Sequence, residues 1–168
     1  IDFRQSNRSA DFIRGEEDED DSQRYIRQGR LLHYVFATIR TRDDVEPTLA
    51  QMESEGLFDS AGDVGHARSL IQRALARPEA RKWFDGSCEL FNECSIVYMT
   101  DGELQTRRPD RVMIDGGQVV VVDFKFGKQS PAYHEQVRGY MQLLRQMGYT
   151  DVRGYLWYIY KNELITVE

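Results

Sequence analysis

The stretch that decides the fold is residues 109–125, which read PDRVMIDGGQVVVVDFK. Two apolar runs, residues 111–115 and 118–122, flank a pair of glycines, and this pattern predicts two strands joined by a tight turn. Such a hairpin brings the chain back beside its own starting point. The two ends of the stretch should therefore lie side by side.

Three charged side chains are expected to meet at that point. Residues i and i+2 of a strand share a face, so Asp123 and Lys125 should point the same way while Phe124 points into the core. Asp110, before the partner strand, should lie opposite them. Two carboxylates beside one ammonium suit a hard divalent cation and a phosphodiester under attack, which predicts metal-dependent phosphodiester hydrolysis.

An Asp-x-Lys triplet alone is weak support, because exposed strand edges often carry such charges. Here the triplet follows four valines, residues 119–122, which are typical of a buried central strand. A carboxylate at the end of a buried strand needs a partner or a metal to offset its desolvation. The context therefore favours a functional site over a plain strand edge.

Hydrophobic periodicity predicts helices before residue 85 and a sheet after it. Helices are expected over 24–40, 43–56 and 65–76, with Pro78 ending the third. A three-stranded meander is expected over 93–99, 104–113 and 118–124, then a helix over 132–147 and strands over 152–160 and 164–167. The predicted fold is α/β: a mixed central sheet flanked by helices, with an N-terminal helical segment.

The net charge of −6 is unevenly distributed. Residues 1–22 carry eight acidic and three basic side chains and are expected to form a flexible segment, a linker rather than a nucleic-acid mimic or docking peptide. Residues 23–168 then form a single domain, with a helical part over about 24–85 and a core over about 86–168. Basic residues outnumber acidic ones over 105–145, which suits contact with a nucleic-acid backbone without reading its sequence.

Several classes of site are excluded. Two cysteines, Cys88 and Cys94, cannot form a four-cysteine zinc or iron-sulfur site, and we expect them to be reduced. No Gly-x-x-x-x-Gly-Lys-Ser/Thr loop is present, so no ATP site is expected. No signal peptide and no apolar run near the roughly 18 residues of a membrane span are found, which favours an intracellular domain without a membrane partner.

Four further residues are weaker candidates. His33, on the first helix, is by itself more typical of a structural histidine. Gln136 and Tyr140 lie one helical turn apart and could present an amide and a phenol to the site, or could be core and flank. Glu93 could add an acidic group near the metal, with a plain strand-edge charge as the alternative.

Several elements, in this order, together resemble the PD-(D/E)xK nuclease superfamily, specifically its RecB-like branch. They are residues 29–33 (GRLLH), 108–112 (RPDRV) and 121–127 (VVDFKFG), and Tyr133, Gln136, Tyr140 and Leu144. The likeness runs from about residue 25 to residue 167. It is strongest to the carboxy-terminal nuclease domain of UvrD/Rep-like superfamily 1 helicases of the Bacteroidetes type.

The resemblance assigns a role to each matched position. It implies that the metal ligands are His33, Asp110, Asp123 and the backbone carbonyl of Phe124. It makes Lys125 the catalytic lysine and places Gln136 and Tyr140 in a supporting motif. Asp123 stands where the family often has glutamate, which shortens the reach by one methylene.

The function implied is a DNA nuclease, an exonuclease in first place, within an ATP-dependent helicase/nuclease of DNA repair or recombination. Mg²⁺ is the expected cofactor and Mn²⁺ a substitute, because the donors are mostly oxygen with one nitrogen. The expected partners are single-stranded DNA and helicase domains of a longer parent chain, in the bacterial cytoplasm at the nucleoid. The alternatives are a DNA-binding or helicase-docking module that does not cut, and an unrelated carbohydrate or nucleotide enzyme.

Overall fold

The computed structural model describes residues 19–92 and 94–168. Its first part contains α1 (Glu19–Thr38), a 3-10 helix (Arg42–Asp44), α2 (Val45–Ser54), α3 (Ala61–Leu75) and α4 (Pro78–Trp83). Its second part contains β1 (Glu89–Asn92), β2 (Ile96–Thr100), β3 (Glu103–Arg107), β4 (Arg111–Asp115), β5 (Gln118–Lys125), α5 (Pro131–Gln146), β6 (Asp151–Tyr158) and β7 (Glu163–Val167).

Five strands form the central sheet, in the order β1-β4-β5-β6-β7. Strands β5 and β6 are parallel and are connected through α5, whereas the other neighbouring pairs are antiparallel. Helices cover the sheet and a helical segment precedes it. The structure thus confirms the predicted mixed α/β architecture.

The central strand β5 is buried on both faces. Val120, Val122 and Phe124 belong to the apolar cluster that contains residues of α1 to α4, and the Phe124 ring stacks on Phe36 with centroids 4.9 Å apart. Val119 and Val121 belong to a second cluster formed with α5. Alternation along the strand therefore directs Asp123 and Lys125 toward the α5 side.

Two glycines allow the helices to approach the site closely. A Cβ at Gly154 of β6 would lie 2.4 Å from Met141 Sδ of α5, so α5 packs directly on the sheet backbone. A Cβ at Gly29 of α1 would lie 3.1 Å from Phe126 Cβ. This second approach holds α1 against the segment that follows β5, one turn before His33.

A buried arginine fixes the beginning of β4 against the helical half. Arg111 is 1% exposed and lies over the Phe84 ring, 3.9 Å from its centroid. Its guanidinium donates hydrogen bonds to the carbonyl oxygens of Ile39 and Arg40 at 2.8 Å and of Trp83 at 2.6 Å. Residues just beyond α1 and in α4 are thereby tied to the residue that follows Asp110.

The predicted three-stranded meander is wrong. Residues 104–113 form two strands in two sheets: β3 pairs with β2 in a separate hairpin, while β4 pairs with β1 and β5. Pro109 lies between them, and proline has no N–H to continue a strand ladder. The first predicted strand, over 93–99, corresponds to β2, which begins at Ile96, whereas β1 lies before it and was not predicted.

The helical predictions are right in kind and differ at their ends. Helix α1 begins at Glu19, so residues 19–22 of the predicted flexible segment are helical; residues 1–18 lie outside the described ranges. Acidic residues in a first turn favour a helix start there. Pro78 follows the end of α3 as expected but also begins α4, where its missing N–H needs no partner. In the ranges described, no helix combines the length and apolar character of a membrane span.

Candidate active site

Asp123 and Lys125 form a buried ion pair at the end of β5. Lys125 Nζ lies 2.8 Å from Asp123 Oδ2, and the side chains are 13% and 3% exposed respectively. Both residues belong to β5, whose pairing with β6 extends as far as Lys125. The structure thus places an ammonium and a carboxylate together at the rim of the sheet.

Asp110 lies beside this pair and is held by the backbone of β5. Its Oδ2 accepts a hydrogen bond from the Phe124 N–H at 2.9 Å. Its side chain also accepts a hydrogen bond from Asp123 when that acid is protonated. The hairpin of β4 and β5 aligns Arg111 with Val122, so residue 110 falls opposite the Asp123–Lys125 end of β5.

His33 reaches the same point from the other side of the sheet. Its Nε2 lies 3.0 Å from Asp110 Oδ1, and its ring makes an edge contact with Phe126. Helix α1 can deliver it because Gly29 lets that helix approach Phe126. A residue 77 positions before Asp110 therefore joins the site, and only the resemblance had indicated it.

Helix α5 supports Lys125. Gln136 Oε1 accepts a hydrogen bond from Lys125 Nζ at 3.1 Å, and Gln136 Nε2 donates to the Tyr140 hydroxyl oxygen at 2.9 Å. The Tyr140 hydroxyl in turn donates to the Arg108 carbonyl at 3.4 Å. Gln136 and Tyr140 thus connect the lysine to the chain just before Asp110, which is where the supporting motif was expected.

Tyr133 is a site residue to which the sequence reasoning gave no role. Its ring lies under the Lys125 ammonium, with Nζ 4.2 Å from the ring centroid. A cation over an aromatic face is stabilised and its position is restricted. The available signal was spacing, because Tyr133 lies three residues before Gln136 on the same helix face.

The two carboxylates respond differently to their surroundings. Burial and the neighbouring Asp110 charge raise the pKa of Asp123 to about 7, although Lys125 opposes the shift. Burial also acts to raise the pKa of Asp110, but the hydrogen bond and charge of His33, the Asp123 hydrogen bond and the Lys125 charge together outweigh it and leave that pKa lowered. Burial acts to lower the pKa of Lys125, but the charge and hydrogen bond of Asp123 and the charge of Asp110 together outweigh it, so that pKa is raised. The lysine therefore stays protonated, and one ammonium faces a buried acid, Asp123, and a largely buried one, Asp110.

This donor set fits a divalent cation. Two carboxylates offer the oxygen ligands that a hard divalent cation prefers, and an imidazole nitrogen adjoins them. Within residues 19–92 and 94–168, no group of three or more His, Cys, Asp or Glu side chains is gathered around a common centre. His33, Asp110 and Asp123 instead form a chain of hydrogen bonds, in which each acid contacts the next group.

The Phe124 carbonyl lies on the edge of β5 that faces Asp110. The carbonyl of Lys125 accepts from Ile159 N on the other side, and successive carbonyls of a strand alternate in direction. The pairing of β4 with β5 begins at Arg111 and Val122, so no residue of β4 lies beside the Phe124 carbonyl. Glu93, the possible additional acid, lies outside the described residues.

Comparison with protein families also indicates a nuclease-type domain. A sequence model described as the PD-(D/E)XK nuclease superfamily matches residues 8–167, and the chain belongs to this superfamily. Pro109-Asp110 and Asp123-Phe124-Lys125 supply the residues of the motif that names it. No curated protein matches the chain. Members of the superfamily generally hydrolyse phosphodiester bonds and typically use divalent metal ions, so the fold and family define a nuclease-type domain.

Proposed function

We propose that this chain is a metal-dependent DNA nuclease domain whose centre is Asp110, Asp123 and Lys125. The observation that carries the proposal is the buried cluster of two acids and one ammonium, with Lys125 Nζ 2.8 Å from Asp123 Oδ2. A carboxylate pair in contact is costly without a cation, and a protein would gain nothing in stability from building one. Metal binding and catalysis would explain why such a cluster is present.

His33, Asp110, Asp123 and the Phe124 carbonyl would hold the ion, Mg²⁺ in first place and Mn²⁺ as a substitute. When bound, the ion lowers the pKa of water and offsets negative charge on the phosphate. Lys125 contributes a fixed positive charge beside the reacting phosphate, where it stabilises developing negative charge or orients the attacking water. The Tyr133 ring and Gln136 keep the ammonium in that position.

The finer assignment follows the resemblance to the RecB-like branch. It makes the domain an exonuclease acting on single strands, fused to the helicase part of a UvrD/Rep-like protein of DNA repair or recombination, in the bacterial cytoplasm at the nucleoid. Two contacts fit that branch: the close approach of α1 to Phe126 at Gly29, and the hydrogen bond between His33 and Asp110. A helicase would supply a strand end, since a nuclease held behind a moving helicase meets the strand that the helicase releases.

A module that binds DNA or docks to a helicase without cutting is the second candidate. A module of this kind needs no buried ammonium beside two acids. The retained Asp110, Asp123 and Lys125 therefore favour cleavage over binding alone.

The test is cleavage of labelled linear and circular single-stranded DNA with Mg²⁺, Mn²⁺ or EDTA. We expect the linear strand to be degraded with either metal, and no degradation in EDTA. Lys125→Ala should lower the rate about 10³-fold, because it removes the charge beside the reacting phosphate. Lys82→Ala is the matched control, since Lys82 is an exposed lysine that also pairs with an aspartate, Asp115.

The outcomes separate the candidates. Degradation of the circular strand would make the domain an endonuclease. DNA binding without cleavage under every metal condition would favour the binding module, and a Lys125→Ala protein that cuts at the unaltered rate would contradict the role given to this lysine.

A further inference from the structure

The β2–β3 hairpin stands apart from the central sheet and leads directly into the site. Its two strands pair with each other as a separate two-stranded sheet. Strand β3 ends at Arg107, and only Arg108 and Pro109 separate it from Asp110. Any ligand lying along this hairpin therefore reaches the proposed catalytic acids at its base.

The two faces of the hairpin differ. Ile96 is buried in the apolar cluster that includes Tyr140 of α5, and Tyr98 packs against the same cluster. The register pairs Ile96 with Arg107 and Tyr98 with Gln105, so these four side chains share one face. That face is turned toward α5 and the site. It carries a phenol, an amide and a guanidinium in a row that ends at the site.

Arg107 lies close to the supporting residues of the site. The hydroxyl of Tyr140 donates to the carbonyl of Arg108, the next residue. The positive charge of Arg107 also opposes the rise in the pKa of Tyr140 that burial causes. The guanidinium is therefore a near neighbour of the Tyr140–Gln136 pair that holds Lys125.

The Arg107 guanidinium is available for a ligand. Arg107 is exposed, and within the described part of the chain its side chain has neither an ion pair nor a hydrogen bond. Arg24, Arg27 and Arg68, in contrast, are each paired with a carboxylate. An arginine without a partner beside a site for phosphodiesters presents a fork of donors that matches the oxygens of a phosphate.

We propose that Arg107, at the end of the hairpin, binds a backbone phosphate next to the scissile bond. This inference rests on the proposed function and names the residue that positions its substrate. A guanidinium suits the phosphate backbone, which every single strand presents whatever its sequence.

The experiment measures DNA binding and its dependence on salt. In a Lys125→Ala background, which prevents cleavage, the Kd for a fluorescent single-stranded oligonucleotide is determined with Mg²⁺ over a series of salt concentrations. Arg107→Ala should raise the Kd about tenfold at low salt. The slope of log Kd against log salt should fall by about 0.7, the value for one lost phosphate contact on a single strand.

Two variants serve as comparisons. Arg81→Ala removes an exposed arginine of α4, the helix whose Lys82 pairs with Asp115 at the other end of the β4–β5 hairpin, and it should change neither Kd nor slope. Arg107→Lys should keep the slope and regain part of the affinity, because it retains the charge without the fork. In the active protein, Arg107→Ala should raise KM and leave kcat within about twofold, as expected for uniform binding.

Two results would overturn the inference. One is an Arg107→Ala protein with unaltered Kd and salt slope. The other is an equal loss in Arg81→Ala, which would mean that general positive charge matters and not this position. Failure of the proposed function looks different, because the unaltered chain would then cut no strand with either metal, whatever the effect of Arg107→Ala on the Kd.

Discussion

The two ends of the β4–β5 hairpin carry the same kind of ion pair in different surroundings. At one end Lys125 pairs with Asp123, with side chains 13% and 3% exposed. At the other end Lys82 pairs with Asp115, with side chains 61% and 43% exposed. Residue type alone does not distinguish the two pairs. Burial and the presence of a second acid do.

The difference shows why only one end is suited to chemistry. Water screens the exposed pair, and the Asp115 hydrogen bond and charge simply raise the pKa of Lys82. At the buried end Asp110 adds a second carboxylate beside Asp123, which raises the pKa of Asp123 to about 7. Burial strengthens every electrostatic effect there, which is why we propose this end, and not the exposed one, as the place where an ion and a phosphate bind.

The largest expected effect comes from removing charge from the acids one at a time. Asp110→Asn and Asp123→Asn should each weaken Mg²⁺ binding more than about 100-fold, because changing even an outer partner of a metal ligand costs about 10- to 100-fold. The cleavage rate should fall together with the affinity for Mg²⁺. Asparagine keeps an oxygen that can accept the Phe124 N–H at position 110, so the fold should persist.

Asp115→Asn is the matched control for these two variants. It alters the exposed pair at the other end of the same hairpin and should change neither quantity. Calorimetric titration with Mg²⁺ measures the affinity, and circular dichroism verifies the fold. Equal losses in all three variants would show that the two ends do not differ as argued.

A smaller effect is expected from His33→Ala. Loss of a nitrogen donor should weaken Mn²⁺ binding about tenfold and affect Mg²⁺ less, since Mg²⁺ prefers oxygen. His66→Ala, on an exposed position of α3, is the control. The readout is the cleavage rate as a function of each metal concentration, and unchanged dependence on both metals would make His33 structural only.

A separate effect concerns the stability of the metal-free protein. The pKa of Asp123 is raised from 3.8 to about 7, so between these pH values the folded state keeps a proton that the unfolded chain has released. The free energy of unfolding should therefore fall as pH rises from about 4 to about 7, by at most about 4 kcal/mol. Asp110 has a lowered pKa and acts below this window.

Urea denaturation in EDTA at several pH values tests this expectation. Asp123→Asn should remove the slope, whereas Asp115→Asn should retain it. Added Mg²⁺ should restore stability near neutral pH, because an ion that binds only the folded state stabilises it. A flat profile in the unaltered protein would mean that Asp123 is already ionised well below pH 7.

Much of the fold and of the candidate site was predictable because the patterns involved are local. The four valines before Asp123 predicted the central strand, and the turn at residues 115–117 predicted its partner. A two-residue period is then enough to put Asp123 and Lys125 on one face. Helix periodicity likewise predicted α5, and their spacing puts Gln136 and Tyr140 on one face of it, as site residues or as core and flank.

The missed features depend on partners far along the chain. No local pattern separates one strand over 104–113 from two strands in different sheets, because the choice lies with β1 and β2 as competing partners. The hairpin that results brings Arg107 to the site. Similarly, Arg111 reads as a surface charge on a strand, whereas its guanidinium is buried against three carbonyls that lie 28 to 72 residues away.

The sequence by itself determined the placement on which the proposed chemistry rests: two acids and a lysine at fixed spacing on a hairpin, since strand alternation depends only on neighbouring residues. Only the tertiary structure decided how the groups that complete the site come into contact with it. His33 arrives because Gly29 admits α1 beside Phe126, and Tyr133 and Gln136 arrive because Gly154 admits α5 onto the sheet. Contacts of this kind depend on how closely whole elements pack, and packing distance is not written in any short stretch of sequence.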